Sequence, residues 1–291
     1  MNTQKLTPNS DLSKDGNPGP HIPEAKNIPV KRIAFMGGND DFRAARTRCA
    51  LACEEYNKLG EDAPIEDRVR GWLKITDPNY ETNSSDNSPS AVDFSNLYKG
   101  GPKDCDSATA ADFDTPPVTP TAFRAPAPRP TIPYIKTPVH IDYGLRVHVA
   151  PTTFINRNCA ILDTPVADIV IGERCSIGPG VTIISVGHPV KFEERCEFES
   201  GRAGSWGAKV VIGDGVWVGA GVTILPGVTI GPYSTIGAGS VVAKDIPPRC
   251  VATGNPATVR YIMDDVKAAA TFTETVVTLD DALKAGREEG D

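Results

Sequence analysis

The chain has 291 residues, of which 40% are hydrophobic, and it carries a net charge of −7 at pH 7. Such an acidic chain lacks the basic surface that nucleic acids require, and no basic run predicts contact with an anionic membrane. Its apolar runs fall far short of the roughly 20 residues that cross a bilayer, and the first residues lack the apolar core of a signal peptide. We therefore expect a cytoplasmic protein with no nucleic-acid or membrane partner.

Cysteine and histidine usage predicts neither disulfides nor a metal site. The seven cysteines are odd in number and form no Cys-x-x-Cys pair, which favours reduced thiols. The four histidines are His21, His140, His148 and His188. Their spacing does not suit a site of three converging histidines, so we expect a protein that requires no metal.

The first quarter of the chain divides into two parts. Residues 1–27 are polar and contain several Pro and Gly, so we predict that they are disordered. Residues 28–75 have a helical texture, because residues 43–53 hold few helix breakers and Val69, Trp72 and Leu73 fall at the spacing of one helix face. This pattern predicts a small pair of helices.

Two further segments stand apart from the regular part of the chain. Residues 76–132 are rich in Pro, Ser, Thr and Asp. Because a compact domain rarely holds so long a loop without secondary structure, we predict a linker or an insertion. Residues 265–291 form a charged tail that is compatible with a helix, and no function is assigned to it.

A repeat of six residues dominates the second half of the chain. It is clearest in a row of aliphatic residues, each six positions after the last: Ile212, Val218, Ile224, Ile230, Ile236 and Val242. Glycine directly follows four of them, and a small or β-branched residue recurs four positions after each of the first five. Shorter rows with the same spacing begin at Val149 and Ile171.

A period of six with one inward aliphatic residue predicts a short strand followed by a sharp corner. Three such units close one triangular coil, and the aliphatic residues stack on their equivalents in the next coil. A helix needs a period near 3.6 and an antiparallel sandwich needs alternation every two residues, so both are disfavoured. The repeat therefore predicts an all-β fold, a parallel β-helix, from Val139 onward.

One long interruption breaks this register. Between Ile183 and Ile212 the residues are polar and charged, and their number is not a multiple of six. A solenoid can eject such a loop between coils without losing its core, and such loops often carry function. Gly187, His188 and Pro189 stand at the base of the loop, and the proline favours an extended backbone at the histidine. By itself, a loop histidine is more often an ordinary surface residue.

Residues 133–264 resemble the hexapeptide-repeat acyltransferases, in particular the maltose and galactoside O-acetyltransferase branch. The matching segments are DYG (142–144), FINRNCAILD (154–163), GHPV (187–190), VVIGDGVWVGAGVTILPGVTIGPYSTIGAGSVVAKDIPP (210–248) and GNPA (254–257). Residues 28–75 resemble the helical N-terminal domain of that branch, with a shortened MGGNDDF segment. Asn39, Asp40 and Asp41 are candidates there for the acidic residue that contacts the acceptor.

The resemblance implies left-handed winding and a homotrimer with active sites between neighbouring prisms. It also implies acetyl-CoA as the donor and a hydroxyl group, most often of a sugar, as the acceptor. His188 falls on the catalytic histidine of the family and would act as general base. The acetyl group would pass directly to the acceptor without an acyl-enzyme, and a backbone N–H near Ala220 would bind the oxyanion.

The same resemblance assigns binding residues. Asn156 and Asp163 fall at acceptor positions, although a polar corner or a structural asparagine stack explains them equally well. The residues at positions of the CoA groove are Ala220, Ala238, Ala243 and Lys244. The position after the GNPA turn, which is basic in the family, is Thr258 here, and the nearest arginine is Arg260.

Two alternatives stay open at this point. The same transfer chemistry would serve a non-sugar acceptor such as a xenobiotic, an amino acid or a secondary metabolite, and the insertion at 76–132 would reshape the acceptor side. A catalytically inactive β-helix used as a scaffold is the alternative of a different class. The histidine in the loop and the matched groove residues argue against a scaffold.

Overall fold

The computed structural model describes residues 30–80, 132–195 and 204–263, and its main body is a three-sided prism of parallel strands. The first face contains β2 (Tyr134–Ile135), β5 (Phe154–Ile155), β8 (Ser176–Ile177), β13 (Trp217–Val218), β16 (Thr235–Ile236) and β18 (Cys250–Gly254). The second face contains β3 (Val139–Ile141), β6 (Cys159–Leu162), β9 (Thr182–Ile184), β14 (Thr223–Ile224) and β17 (Val241–Val242). The third face contains β4 (Val147–Val149), β7 (Ile169–Ile171), β12 (Val210–Ile212) and β15 (Thr229–Ile230).

The aliphatic residues of the repeat form the core of this prism. In the first face Ile155, Ile177, Val218 and Ile236 pair in register with one another, and each is at most 1% exposed. The chain passes from the first face to the second and then to the third before it returns one coil higher, so equivalent residues stack. The predicted parallel β-helix is confirmed, and the six-residue period is the reason that it forms.

The corner between the first and second faces, here called the first corner, is built by a repeated turn. Gly180, Gly221 and Gly239 have φ angles of 69°, 65° and 69°. This left-handed conformation is readily available to glycine because it has no Cβ. Backbone N–H groups link one turn to the next, with Gly221 donating to the Pro179 carbonyl at 2.9 Å and Gly239 donating to the Ala220 carbonyl at 2.8 Å.

Two helices cover the lower end of the prism. These are α1 (Asp40–Asn57) and α2 (Ile65–Thr76), and the Asn39 side chain caps α1 by accepting from the Phe42 N–H at 3.0 Å. Tyr56 and Ile75 from the helices lie in the same buried cluster as Ile135 from β2. The helices therefore close the core of the prism at the end where it begins.

The predicted helical segment 28–75 also contains a strand, β1 (Ile33–Met36), which the sequence reading did not anticipate. A run of four residues carries too little periodicity to reveal its type, and the strand forms because a distant partner pairs with it. That partner is β11 (Gly204–Gly207), which also pairs with β10 (Val186–Gly187). The three antiparallel strands, in the order β1-β11-β10, are called the loop sheet below.

The loop leaves the prism after β9 and returns before β12. Its two ends meet where the Ala208 N–H donates to the Ser185 carbonyl at 2.9 Å. Between them lie β10, the short helix α3 (Phe192–Arg195) and β11. The interruption seen in the six-residue register is therefore a closed excursion that leaves the coil beneath it intact.

The upper end of the described fold is a hairpin of β18 and β19 (Ala257–Ile262), which run antiparallel. No helix among the described ranges is long and apolar enough to cross a membrane. The predicted disordered segment 1–27, the charged tail 265–291 and nearly all of the predicted linker 76–132 lie outside the described residues.

Candidate active site

His188 follows β10 directly, and its side chain is exposed at the edge of the loop sheet. Its Nδ1 lies 3.0 Å from the carbonyl oxygen of Gly204 and 3.4 Å from the Ser205 hydroxyl. A carbonyl oxygen only accepts hydrogen bonds, so Nδ1 must carry the proton. In the neutral ring the lone pair then belongs to Nε2, which is the nitrogen able to take up a proton.

The indole of Trp206 supports the segment that precedes the histidine. Gly187 lies opposite Trp206 in the loop sheet, and a Cβ at Gly187 would fall on the indole ring. The Arg32 guanidinium also lies over this indole, 4.2 Å from the ring centroid. Glycine is therefore required at 187 because the indole occupies the space of a side chain.

Asp163 lies at the corner between the second and third faces, here called the second corner, directly after β6. It is only 1% exposed, and its Oδ1 accepts from the N–H groups of Tyr143 at 2.8 Å and Gly144 at 3.3 Å. Burial raises the pKa of this carboxyl from 3.8 to about 6, and the two N–H groups partly offset that rise. Its Oδ2 is buried without a hydrogen-bond partner among the described residues.

The loop returns to the prism next to Asp163. A Cβ on Gly207 would lie 2.7 Å from a methyl of Val166 and 2.8 Å from the Thr164 hydroxyl, so the end of β11 packs directly on the second corner. Asp163 and the loop that carries His188 thus share one corner of the prism. Asn156, the other predicted acceptor residue, lies before β6 at the first corner, and its Oδ1 accepts from the Arg157 N–H at 2.9 Å.

The predicted donor-binding residues occupy three places. Ala220 and Ala238 are exposed and stacked one coil apart at the first corner. Ala243 and Lys244 are exposed at the second corner, directly after β17.

Thr258 and Arg260 form the third place, on β19. Arg260 donates through Nε to the Thr253 hydroxyl at 2.7 Å, which ties its side chain to the neighbouring strand β18. Both residues are exposed. They therefore lie on the hairpin at the upper end of the described fold.

One chain does not bring all these residues together. The second face lies between the first corner, with Asn156, Ala220 and Ala238, and the second corner, with Asp163 and the His188 loop. In the described ranges the hydrogen bonds of His188 go to Gly204 and Ser205 and to none of the predicted binding residues.

Sequence reasoning missed two parts of the site. The Gly204 group that holds Nδ1 is a backbone carbonyl, which no residue type reveals. The β1 strand pairs with β11 across a long stretch of sequence, which local patterns do not encode. Of the three candidates for an acidic residue in MGGNDDF, Asn39 is used as the cap of α1 and Asp40 pairs with Arg43 at 2.9 Å.

Comparison with known proteins identifies the family. The family described as "Bacterial transferase hexapeptide (six repeats)" matches residues 209–244. A putative acetyltransferase of Staphylococcus aureus is 42% identical over 144 residues, covering 49% of this chain and 68% of that protein. The galactoside O-acetyltransferase of Escherichia coli is 42% identical over 132 residues, covering 45% of this chain and 62% of that protein.

The fold is shared with a solved structure of a galactoside acetyltransferase in complex with coenzyme A. That structure has a TM-score of 0.54, 24% identity, and covers 84% of this chain and 94% of its own. The protein is thus a left-handed parallel β-helix. The chain belongs to the hexapeptide-repeat acyltransferases, in their maltose and galactoside O-acetyltransferase branch, which confirms the resemblance read from the sequence. Its match spans 57% to 62% of the length of several curated relatives.

Proposed function

We propose that this protein is an O-acetyltransferase that moves an acetyl group from acetyl-CoA to a hydroxyl of a sugar-like acceptor, with His188 as general base. The observation that carries the proposal is the bond between Nδ1 of His188 and the Gly204 carbonyl, 3.0 Å long. It leaves Nε2 as the basic nitrogen on an exposed edge, which is the arrangement a general base needs. Family membership supports the choice of donor and reaction.

In the proposed reaction, Nε2 of His188 takes the proton of the acceptor hydroxyl while its oxygen attacks the thioester carbonyl. The tetrahedral intermediate then expels the sulfur of CoA, which leaves as the thiol once it receives the proton from the imidazolium. A positioned base accelerates such a step by roughly 10²–10⁴-fold. The N–H of Ala220 donates to no acceptor among the described residues, which supports its proposed role toward the oxyanion.

The donor site that we propose runs along the surfaces of Ala220, Ala238 and Ala243. Their small side chains leave room for the pantetheine arm beside the backbone of the corners. Lys244 and Arg260 would meet phosphate groups of CoA, because both cations are exposed and Arg260 is held by Thr253. Thr258 offers only a hydroxyl at the position that is basic in the family.

The acceptor site that we propose uses Asp163 and Asn156. The buried Oδ2 of Asp163 lacks a donor among the described residues, and an acceptor hydroxyl would supply one. A non-sugar acceptor is the second candidate. It is favoured by two apolar side chains of the loop near His188, Val190 at 92% and Phe192 at 54% exposure.

We further propose a homotrimer in which each active site lies between two prisms. The argument is geometric, since the second face separates the His188 loop from the alanines of the first corner within one chain. A neighbouring copy that presents its first corner to the loop would complete the site. A cytoplasmic location and independence from metal also stay predictions. Among the described residues no cluster of three or more His, Cys, Asp or Glu is able to hold a metal ion.

Thiol release from acetyl-CoA tests the proposal. The purified protein is incubated with acetyl-CoA and a panel of sugars and other alcohols. We expect acceptor-dependent release, reduced about 10²–10⁴-fold in His188→Ala. His140→Ala, which removes another exposed histidine, serves as the matched control and should keep the wild-type rate. Equal release by wild type and His188→Ala across the panel would refute the role of His188.

A further inference from the structure

The carbonyl that holds His188 belongs to β11, and β11 is held mainly by a strand from the start of the described chain. Four residues of β1 pair with β11, and Met36 lies directly opposite Gly204. Only two residues of β10 pair with β11 on the other side. Because two short strands alone are marginally stable, the third strand supplies most of the pairing that holds β11 in place.

Side chains fix β1 on both faces of the loop sheet. Residues opposite each other on antiparallel strands point to the same face, so Phe35 shares a face with Ser205, and Ala34 shares the other with Trp206. On the Ser205 side, the Phe35 ring stacks on Phe42 of α1 with centroids 5.8 Å apart. On the Trp206 side, the indole is covered by Arg32, which immediately precedes β1.

The stack continues into the prism. Phe42 packs edge-on against Tyr143 with centroids 6.2 Å apart, and the Tyr143 hydroxyl accepts from Arg46 at 2.7 Å. The N–H of Tyr143 in turn donates to Asp163 at 2.8 Å. A continuous set of contacts therefore joins β1 to α1 and to the second corner, so β1 is anchored independently of the loop that it braces.

We propose that β1 is a positioning element for the base, with Phe35 as its principal anchor. By pairing with β11 it fixes the Gly204 carbonyl against Nδ1 of His188 and so keeps the ring in the tautomer that leaves Nε2 free of a proton. Neither β1 nor Phe35 touches the reacting atoms. The inference rests on the proposed function, because it assigns β1 a part in that reaction.

Proline substitution in β1 provides a test with a built-in control. Along an edge strand, alternate N–H groups point toward the neighbouring strand, so of Ile33→Pro and Ala34→Pro only one removes a bond to β11. The variant that loses a hydrogen bond to β11 should have its kcat reduced by about 10–100-fold, because the catalytic group is displaced. Its KM for acetyl-CoA should be unchanged. The other should stay within about twofold of wild type, since its ladder to β11 is intact.

Removal of the anchor provides a second test. Phe35→Ala should lower kcat in the same way, and Phe35→Leu should restore part of it. Tyr134→Ala is the matched control, because Tyr134 stacks on Phe154 at the same centroid distance of 5.8 Å but on the first face of the prism. Melting temperature and oligomer size, measured for every variant, identify any that fail to fold.

A spectroscopic readout separates positioning from general destabilisation. Nitrogen-15 shifts of the neutral His188 ring, assigned by their loss in His188→Gln, report which ring nitrogen carries the proton. Wild type should show the proton on Nδ1, and the variant with a broken ladder should shift toward Nε2.

Several outcomes would overturn the inference while leaving the proposed function standing. One is that kcat is unchanged in both proline variants and in Phe35→Ala. Another is that kcat falls while the His188 ring keeps its tautomer. A third is that these variants raise only the KM for the acceptor. Failure of the proposed function has a different signature, namely His188→Ala as active as wild type.

Discussion

The prism and the loop sheet hold their residues in place by different means. In the prism, most strands pair with equivalent strands above and below, so the loss of one contact is shared by many others. In the loop sheet, β11 pairs with two residues of β10 and with a strand that comes from far away in the sequence, and only its end packs on the prism. Substitutions in the prism should therefore lower stability more than activity, whereas substitutions in the loop sheet should lower activity more than stability.

The largest effect on stability should come from the ladder core. Ile224 is fully buried between Ile183 and Val242 in the second face. Ile224→Ala should lower the free energy of unfolding by about 2–5 kcal/mol, because it removes buried methyl groups and leaves a cavity. Thr223→Ala, at the outward position next to it, is the control. Denaturant titration measures both, and a similar loss in the two variants would contradict the ladder as the source of stability.

A large effect on activity without loss of fold, smaller than that of removing His188 itself, should come from Gly187→Ala. Its Cβ would collide with the indole of Trp206 and displace the neighbouring His188. We expect kcat to fall by about 10–100-fold while the melting temperature changes little. Gly37→Ala is the control, since its Cβ would lie at an ordinary 3.7 Å from Phe35. A large fall in melting temperature for Gly187→Ala would show that the loop sheet also supports the prism.

A pH-dependent effect should come from Asp163. Its pKa is about 6 in the folded chain against 3.8 when unperturbed, so the folded state binds more protons between these values. The free energy of unfolding therefore falls as pH rises from about 4 to 6 and then levels off. Asp163→Asn removes this dependence. Between pH 4 and pH 7.5, the free energy of unfolding of the variant should therefore rise by on the order of 2 kcal/mol relative to that of wild type. Denaturant titration of both proteins at both pH values measures this change. If the two proteins differ in free energy of unfolding by the same amount at pH 4 and at pH 7.5, Asp163 carries no unfavourable buried charge.

The smallest effects should come from the exposed cations of the proposed donor site. Lys244→Ala and Arg260→Ala should each raise the KM for acetyl-CoA by about three- to fivefold, as expected for exposed ionic contacts. The effect should fade at high salt because of screening. Arg70→Ala removes an exposed arginine of α2 and is the control. If neither cation changes the KM, the phosphates of CoA bind elsewhere.

The regular part of the fold was predictable because its signal is local and repeated. Every residue of the aliphatic row lies in a strand of the prism and is fully buried: Ile212, Val218, Ile224, Ile230, Ile236 and Val242. One inward residue per strand is enough to define the core when neighbouring coils repeat it. The loop was located by the same signal, since it is where the repeat stops.

The site was predictable only in part. His188 was marked by its place at the base of the loop, but its partner is a backbone carbonyl of Gly204, which has no sequence signature. Asp163 was read as a polar side chain for an acceptor, and the structure shows that it also binds the backbone of Tyr143 and Gly144. The strand β1 depends on pairing at long range, which periodicity within a short window does not encode.

The helices at the lower end of the prism have a consequence for self-association. A stack of parallel strands exposes unpaired backbone groups at its ends, where further chains are able to add as in a fibre. Here the Asn57 side chain donates to the Val139 carbonyl and accepts from the Val139 N–H, both at 2.9 Å. The Tyr56 hydroxyl donates to the Ile135 carbonyl at 3.3 Å. At the other end of the first face, β19 turns back antiparallel with an irregular register. Side chains of α1 thus bind the lowest strands of the first and second faces, and an antiparallel strand follows the last parallel strand of the first face, so the parallel repeat does not continue directly from these edges into another molecule.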